Sequence, residues 1–201
     1  MIEGKKYQIV YADPPWSYND KMSGHSFSLD HEYETQDKIW IQNLPIKEIS
    51  DNECVLFLWA VSPLLNEAFE VIKAWGFKYK TVAFCWVKTY KDGSPVSNLG
   101  RWTMGGMELC LLATKGHPKR VVNNVKQILF NGRGKHSVKP HEVRKRIVQL
   151  MGDIPRIELF AREKYQGWDV WGNEVDTSVE IPNAPLEIIV KNSVQKSLFE
   201  L

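Results

Sequence analysis

The sequence predicts an α/β fold built on a mostly parallel, doubly wound sheet, and three observations carry that expectation. Short apolar runs bounded by turn formers recur along the chain, at Tyr7 to Ala12, Cys54 to Ala60, Tyr79 to Lys88, Glu108 to Thr114, Gln127 to Phe130 and Ile157 to Phe160. Most of these runs lack polar alternation, as expected of strands covered on both faces. Helical patterns fall between them, and strands alternating with helices favour parallel pairing with crossovers on both sides.

The first helical pattern, over Asp37 to Asn43, is short. The second, SPLLNEAFEVIKAWG, is predicted to open with Ser62 as N-cap and Pro63 at the first helical position. Leu65, Ala68, Phe69, Ile72 and Trp75 then form one apolar face, and Gly76 ends the helix. The third, KPHEVRKRIVQLMG, starts at Pro140, places Val143, Ile147 and Leu150 on its stripe with Arg144 and Lys145 outside, and closes at Gly152. Two long polar stretches, Ser17 to Glu34 and Thr89 to Met107, read as functional or mobile loops.

Composition narrows the class of protein. With 201 residues, 43% of them hydrophobic and 25% charged, the chain is expected to form one domain with a large core. Disorder and collagen-like architecture are excluded. No apolar run approaches the roughly 20 residues of a membrane span, and MIEGKKYQIV carries charges where a signal peptide needs an apolar region. A cytoplasmic protein without membrane contact is the expectation. Cys54, Cys85 and Cys110 sit in apolar strand-like runs and read as buried thiols. The net charge is only +2, yet residues 115 to 146 hold ten Lys or Arg against the single acid Glu142, which conceals a basic face.

The residues with the clearest chemical meaning are Asp13, Pro14, Pro15 and Trp16, directly after the strand QIVYA. In an open α/β sheet, ligands bind beyond the carboxyl ends of the strands. Two prolines make the turn rigid and remove two backbone donors, so its carbonyls are predicted to project without competing N–H groups. Asp13 adds a charged acceptor, and Trp16 a flat face for a planar base. Such a cluster suits an exocyclic amine. Adenine N6 is a poor nucleophile because its lone pair is delocalised, and hydrogen bonds from its two protons to Asp13 and the Pro14 carbonyl would release that pair for attack.

The tetrapeptide DPPW resembles the signature of the MT-A70 group of S-adenosylmethionine-dependent adenine-N6 methyltransferases. CVLFLWAVSPLLNEAFEVIKAWGFKYKTVAFCWVKT, MELCLLATKG, HSVKPHEV and RIELFAREKYQGWDVWGNEVD are similar to the segments that follow it in that family. The likeness spans about residues 7 to 176, so 1–176 is expected to be the methyltransferase domain and 177–201 a tail of unknown role, with LEIIVKN a weak strand. It implies a Rossmann-like methyltransferase fold with permuted motif order, the catalytic turn first and the cofactor strand last. No GxGxxG loop is present, so S-adenosylmethionine as cofactor rests on the motif set.

The resemblance also implies roles. On the cofactor side it points to Ala12, Asp13, Lys139 for the methionine carboxylate, Arg162 for the ribose region, and Asn173 with Glu174 for the ribose hydroxyls and neighbouring atoms. For Lys139, Arg162 and the GNE turn the plain alternatives are a solvated cap, a surface ion pair and an ordinary turn. On the substrate side Tyr33 resembles an aromatic gate and Glu108 an acid near the target base, with an edge-strand solvent contact as the alternative; Lys88 joins them. By their charge density, Lys119, Arg120, Arg133, Lys135 and His136, with Lys115 and His117, would neutralise phosphates, with a solvated face as the alternative, and Arg101 with Trp102 combines a cation and a stacking ring.

Metal and covalent chemistry fare poorly. His136 and His141 lack partners at zinc spacings, so no metal is expected, and the cysteines lack a local base. The expected activity is methyl transfer to adenine N6 in nucleic acid. DNA is preferred because the compact chain lacks an RNA-binding module and resembles bacterial and phage members of the family. RNA methylation and a catalytically silent nucleic-acid-binding subunit are the rivals. A homodimer is compatible with the resemblance.

Overall fold

The computed structural model describes residues 4–16, 38–100, 102–132, 138–181 and 184. Seven strands form one sheet: β1 (Tyr7–Ala12), β2 (Ser50–Ala60), β3 (Lys78–Thr89), β4 (Met107–Lys115), β5 (Ile128–Gly132), β6 (Arg156–Leu159) and β7 (Asp169–Trp171). Their spatial order is β5-β3-β4-β2-β1-β6-β7. Every neighbouring pair is parallel except those of β4, which runs antiparallel to both β2 and β3. The predicted architecture is therefore present, with its one reversed strand near the centre. No described helix is long and apolar enough to cross a membrane.

Burial explains why the central runs lack alternation. In β1, Ile9 and Tyr11 face α4 (His141–Met151), packing with Val55, Phe57, Trp59, Val143 and Ile147. Val10 and Ala12 point the other way, toward the layer of α1 (Lys38–Gln42), α2 (Ile46–Ile49) and α3 (Leu65–Ala74). Both faces are apolar, so both sets of side chains must be. β7 escapes the sequence reading because three residues give no periodicity.

The helices depart from expectation in three places. Ser62 caps nothing: Ser62–Leu64 form a 3₁₀ turn around Pro63, and α3 begins only at Leu65 with no side-chain cap. Phe69 is 41% exposed and packs edge-on against Tyr79, while Val71 takes the core position beside Ala68, Ile72 and Trp75. The buried set follows the i, i+3, i+4, i+7 spacing from Ala68, and Phe69 lies to its side. The end is as predicted, closed by amide bonds from Gly76 to the Lys73 carbonyl and from Phe77 to that of Ile72, both 3.0 Å.

Arg144 is the third departure. Expected on the solvent face of α4, it is only 3% exposed and forks onto Glu158 of β6, with Nε 2.6 Å from Oε2 and Nη2 2.7 Å from Oε1. Its guanidinium also lies over the rings of Tyr11 and Tyr165, 5.9 and 5.2 Å from their centroids. Burial opposes its charge, but Glu158 outweighs burial and holds it protonated; burial likewise pushes the Glu158 carboxyl up while Arg144 pulls it down. Helical periodicity cannot foresee an acid supplied by a distant strand. Lys145 is exposed, as predicted. LEIIVKN lies outside the described residues.

Thr89 to Met107, expected as a loop, instead continues the β3–β4 pair as a hairpin whose described residues form the bridges Thr89–Pro95 and Asn98–Gly105. Asn98 and Gly105 exchange both backbone bonds, at 2.7 and 2.8 Å.

Removing one partner of a buried ion pair leaves the other charge unpaired, at a cost of about 3–5 kcal/mol. Arg144→Met should lower unfolding stability by that order in denaturant titration, and R144M/E158M should recover most of the loss. An R144M variant within about 0.5 kcal/mol of wild type would contradict the role given to the pair.

Candidate active site

Asp13 leaves β1 at the carboxyl edge of the sheet, where every parallel strand ends. Its carboxylate is half-buried and takes a 2.7 Å bond from Lys139 Nζ. Lys139 is one residue before the helix-starting Pro140 and is not the solvated cap that its sequence context also allowed: its side chain is 10% exposed. The same ammonium lies 3.2 Å from Glu108 Oε2, and Glu108 in turn pairs with Lys88. Glu108 sits on β4 between β2 and β3, so it makes no edge-strand solvent contact. Four chain segments thus build an alternating row, Asp13–Lys139–Glu108–Lys88, whose charges cancel.

Two indoles floor this row. Lys139 Nζ lies 5.4 Å from the Trp59 ring centroid, Lys88 Nζ 5.1 Å from that of Trp86, and the two tryptophans meet edge to face at 6.4 Å. Trp59 Nε1 donates to the Tyr11 hydroxyl at 2.7 Å, and Trp86 Nε1 to the Asn131 carbonyl at 2.9 Å. Cations over indole faces gain from the ring quadrupole where water is scarce. Sequence reasoning missed Trp59 and Trp86. The signal lay in FLWA and FCWVK, where each tryptophan falls near the same end of its strand as DPPW.

The turn itself differs in one respect from expectation. The Pro14 carbonyl does not project without a donor: it accepts the Trp16 amide at 2.9 Å. The two prolines cannot donate, but the next residue folds back to do so. A carbonyl has two lone pairs, so one acceptor direction remains. Trp16 is half-buried against the core, and its Nε1 donates to the Trp59 carbonyl at 3.0 Å. Pro15 completes the turn. Ala12 is fully buried and paired with Leu58 and Leu159, so it offers a ligand only its backbone.

A second pair of turns stands beside the first. β6 gives way to a turn at Phe160, the one described non-glycine residue with positive φ, at 60°. Ala161 and Arg162 follow, with Arg162 Nε 3.5 Å from Glu174 Oε1. Gly172, leading into Asn173 and Glu174, packs so closely that a Cβ there would fall 2.3 Å from the Ala161 carbonyl oxygen. Only glycine lets these turns touch. Arg162, Asn173 and Glu174 are thereby gathered at one corner.

Other residues are placed elsewhere. β4 runs from Glu108 to Lys115, about 24 Å at some 3.4 Å per residue, and carries the following basic residues to the opposite edge. There Lys115 Nζ bonds Ser50 and the His117 amide bonds Glu53. His117, Pro118 and Lys119 line a cavity of about 420 Å³ with Gln8, Glu53, Met151 and Ile154. Arg120 follows directly, so Lys119 and Arg120 do not join the Asp13 site. Trp102 is on the exposed hairpin. Tyr33, Arg101, Arg133, Lys135 and His136 lie outside the described residues.

Covalent and metal chemistry find no support at the described positions. Burial pushes the Cys54 thiol up to about 12 and raises Cys110 and Cys85 as well, so all three stay protonated near neutrality. Cys85 is half-buried. No metal-binding group of three or more His, Cys, Asp or Glu occurs among the described residues. His141 is exposed beside Glu163 and stacked on Tyr165, as a surface histidine should be.

A mostly parallel sheet with an acidic, proline-locked turn at its carboxyl edge defines a Rossmann-like α/β methyltransferase. Residues 7–174 match the MT-A70 family, and the chain belongs to that family. It is 37% identical over 201 aligned positions to the type II methyltransferase M.MunI of a Mycoplasma species, covering 90% of this chain and 84% of that protein. It is 27% identical to the human N(6)-adenosine-methyltransferase catalytic subunit METTL3, over 85% of this chain and 28% of the relative. Against the human N(6)-adenine-specific methyltransferase METTL4 the identity is 27%, over 85% of this chain and 38% of the relative. The chain thus spans a minor part of either human protein.

The charge row makes a pH prediction. Burial raises the Glu108 carboxyl, but Lys139 and Lys88 outweigh it and hold the group below its ordinary 4.5; burial lowers Lys139, but Asp13 and Glu108 outweigh it and hold the amine above 10.5. The stability contributed by Glu108 is complete above 4.5 and lost as pH falls through its lower folded value. That of Lys139 is complete below 10.5 and lost as pH rises through its higher one. Lys139→Met should move the Glu108 titration upward, read from its side-chain carboxyl ¹³C shift; an unmoved midpoint would contradict the row.

Proposed function

We propose that this protein transfers the methyl group of S-adenosylmethionine to N6 of adenine in DNA, and that Asp13 in its rigid turn is the residue that carries the reaction. The supporting observation is the half-buried Asp13 carboxylate at the carboxyl edge, beside the Pro14 carbonyl and above an indole floor. The adenine target accords with two relatives whose names specify N6 of adenine or adenosine. DNA is favoured by the higher similarity to the type II methyltransferase, over most of that protein's length.

The residues fit the methyl donor. Lys139 is a buried ammonium with three donors, two already directed at Asp13 and Glu108, and its third suits the cofactor's carboxylate. Arg162, Asn173 and Glu174, brought together by the Gly172 contact, suit the ribose hydroxyls and adjoining atoms. When bound, S-adenosylmethionine supplies an electron-poor methyl carbon on a sulfonium.

The protein's part is positioning. Asp13 accepts one N6 proton in a hydrogen bond and the Pro14 carbonyl the other, which draws the nitrogen toward tetrahedral geometry and frees its lone pair for in-line attack. Trp16 packs on the base. Glu108, itself paired with Lys88, holds Lys139 from the far side, so the ammonium cannot collapse wholly onto Asp13. The surplus proton leaves after transfer, and no strong base is needed. A paired adenine must leave the stack to reach this recess. A cytoplasmic location accords with three free thiols, and a homodimer would cover the exposed Ile128 and Phe130 of edge strand β5.

Labelled-methyl transfer to DNA and RNA pools, followed by nucleoside mass spectrometry, should show N6-methyldeoxyadenosine. Label confined to RNA would overturn the DNA assignment. No transfer together with no calorimetric binding of S-adenosylmethionine would make the protein a silent subunit. Asp13→Ala should reduce transfer by at least about a hundredfold with the circular dichroism spectrum unchanged; wild-type turnover in D13A would remove Asp13 from the mechanism.

A further inference from the structure

The hairpin above the site has no part in the chemistry so far. Its base is made by the site's own strands: the Lys88 amide donates to the Gly106 carbonyl and the Val96 amide to the Lys88 carbonyl, both at 2.8 Å. A Cβ on Gly106 would fall 1.9 Å from the Val96 carbonyl oxygen, so the three strands are pressed together at a point one residue from Glu108's neighbour Met107. Beyond this the Asn98–Gly105 pair holds the tip. Trp102 there is 97% exposed, with Leu99 81% and Met104 58% exposed beside it. Apolar groups so displayed on an ordered support mark an interaction surface.

We propose that this tip is a stacking wedge, with the Trp102 indole entering duplex DNA at the step from which the target adenine has been drawn out. The inference rests on the DNA reading above and names its substrate as the duplex. Two observations favour that occupant. The hairpin rises from Lys88 and Glu108, so whatever delivers a base to Asp13 passes next to it. Trp102 lies four residues from Gly106, which keeps it within about 14 Å of the site's rim. Apolar wedges between base steps stabilise unstacked DNA, and extruding a base leaves a gap of that shape.

The test uses the whole chain and unmethylated duplex DNA, comparing wild type, Trp102→Ala and Trp102→Phe. W102A should lower kcat/KM about tenfold or more while leaving S-adenosylmethionine affinity by calorimetry unchanged, and W102F should restore most of the activity because it keeps a ring. At 97% exposure neither change threatens the fold. W102A turning over duplex at the wild-type rate would overturn the wedge alone. So would a loss of activity accompanied by a fall in sedimentation coefficient of the DNA-free protein, which would assign the tip to a second copy of the chain. A wild-type protein that methylates no DNA would overturn the functional reading as well.

Discussion

A buried ammonium between two carboxylates sets the terms for the rest of the site. Lys139 is nine-tenths buried, and a charge so placed is tolerated only if it is paired. Its partners, Asp13 and Glu108, come from the exit of β1 and the start of β4, and Lys88 from β3 balances the second acid. The fold must therefore bring four distant segments to one line before any of them is stable there. Satisfying that electrostatic condition also places an acidic acceptor, a cation and an aromatic floor at the sheet's open edge. Structural need and the proposed chemical use coincide in the same four side chains.

Much of this was legible in the sequence because the responsible signals are local. Unalternating apolar runs gave the strands, Pro140 gave the start of α4, and DPPW after QIVYA gave the location of the turn. What was hidden depends on partners remote in sequence. Arg144 has the charge of a surface residue, and its burial depends on β6 presenting Glu158 to it. Lys139 reads as an ordinary helix-leading lysine until Asp13, 126 residues earlier, is beside it. Ser62 has the composition of a cap, yet Pro63 in a 3₁₀ turn defers the helix past its reach.

The basic segment shows how topology rearranges a linear pattern. In sequence, residues 115 to 146 form one cationic block. In space, reversal of β4 sends Lys115 to Lys119 to the amino-terminal edge, while the chain returns through β5 and reaches Lys139 at the carboxyl-terminal edge. A single antiparallel strand thus separates Lys115 and Lys119 from Lys139, their neighbour in the linear block. Counting charges within a window overlooks the direction in which the window is threaded.

The indole of Trp16 donates to the backbone of Trp59, whose own indole donates to Tyr11, two residues before Asp13. This closed relay bolts the Asp13 corner to the pairing of β1 with β2. A shift of one residue between those strands would turn every side chain to the wrong face, so the aim of the acid is as invariant as the sheet register. Motion needed for substrate entry or product release must be borne by other segments, because this corner is fixed by the same hydrogen bonds that define the molecule's centre.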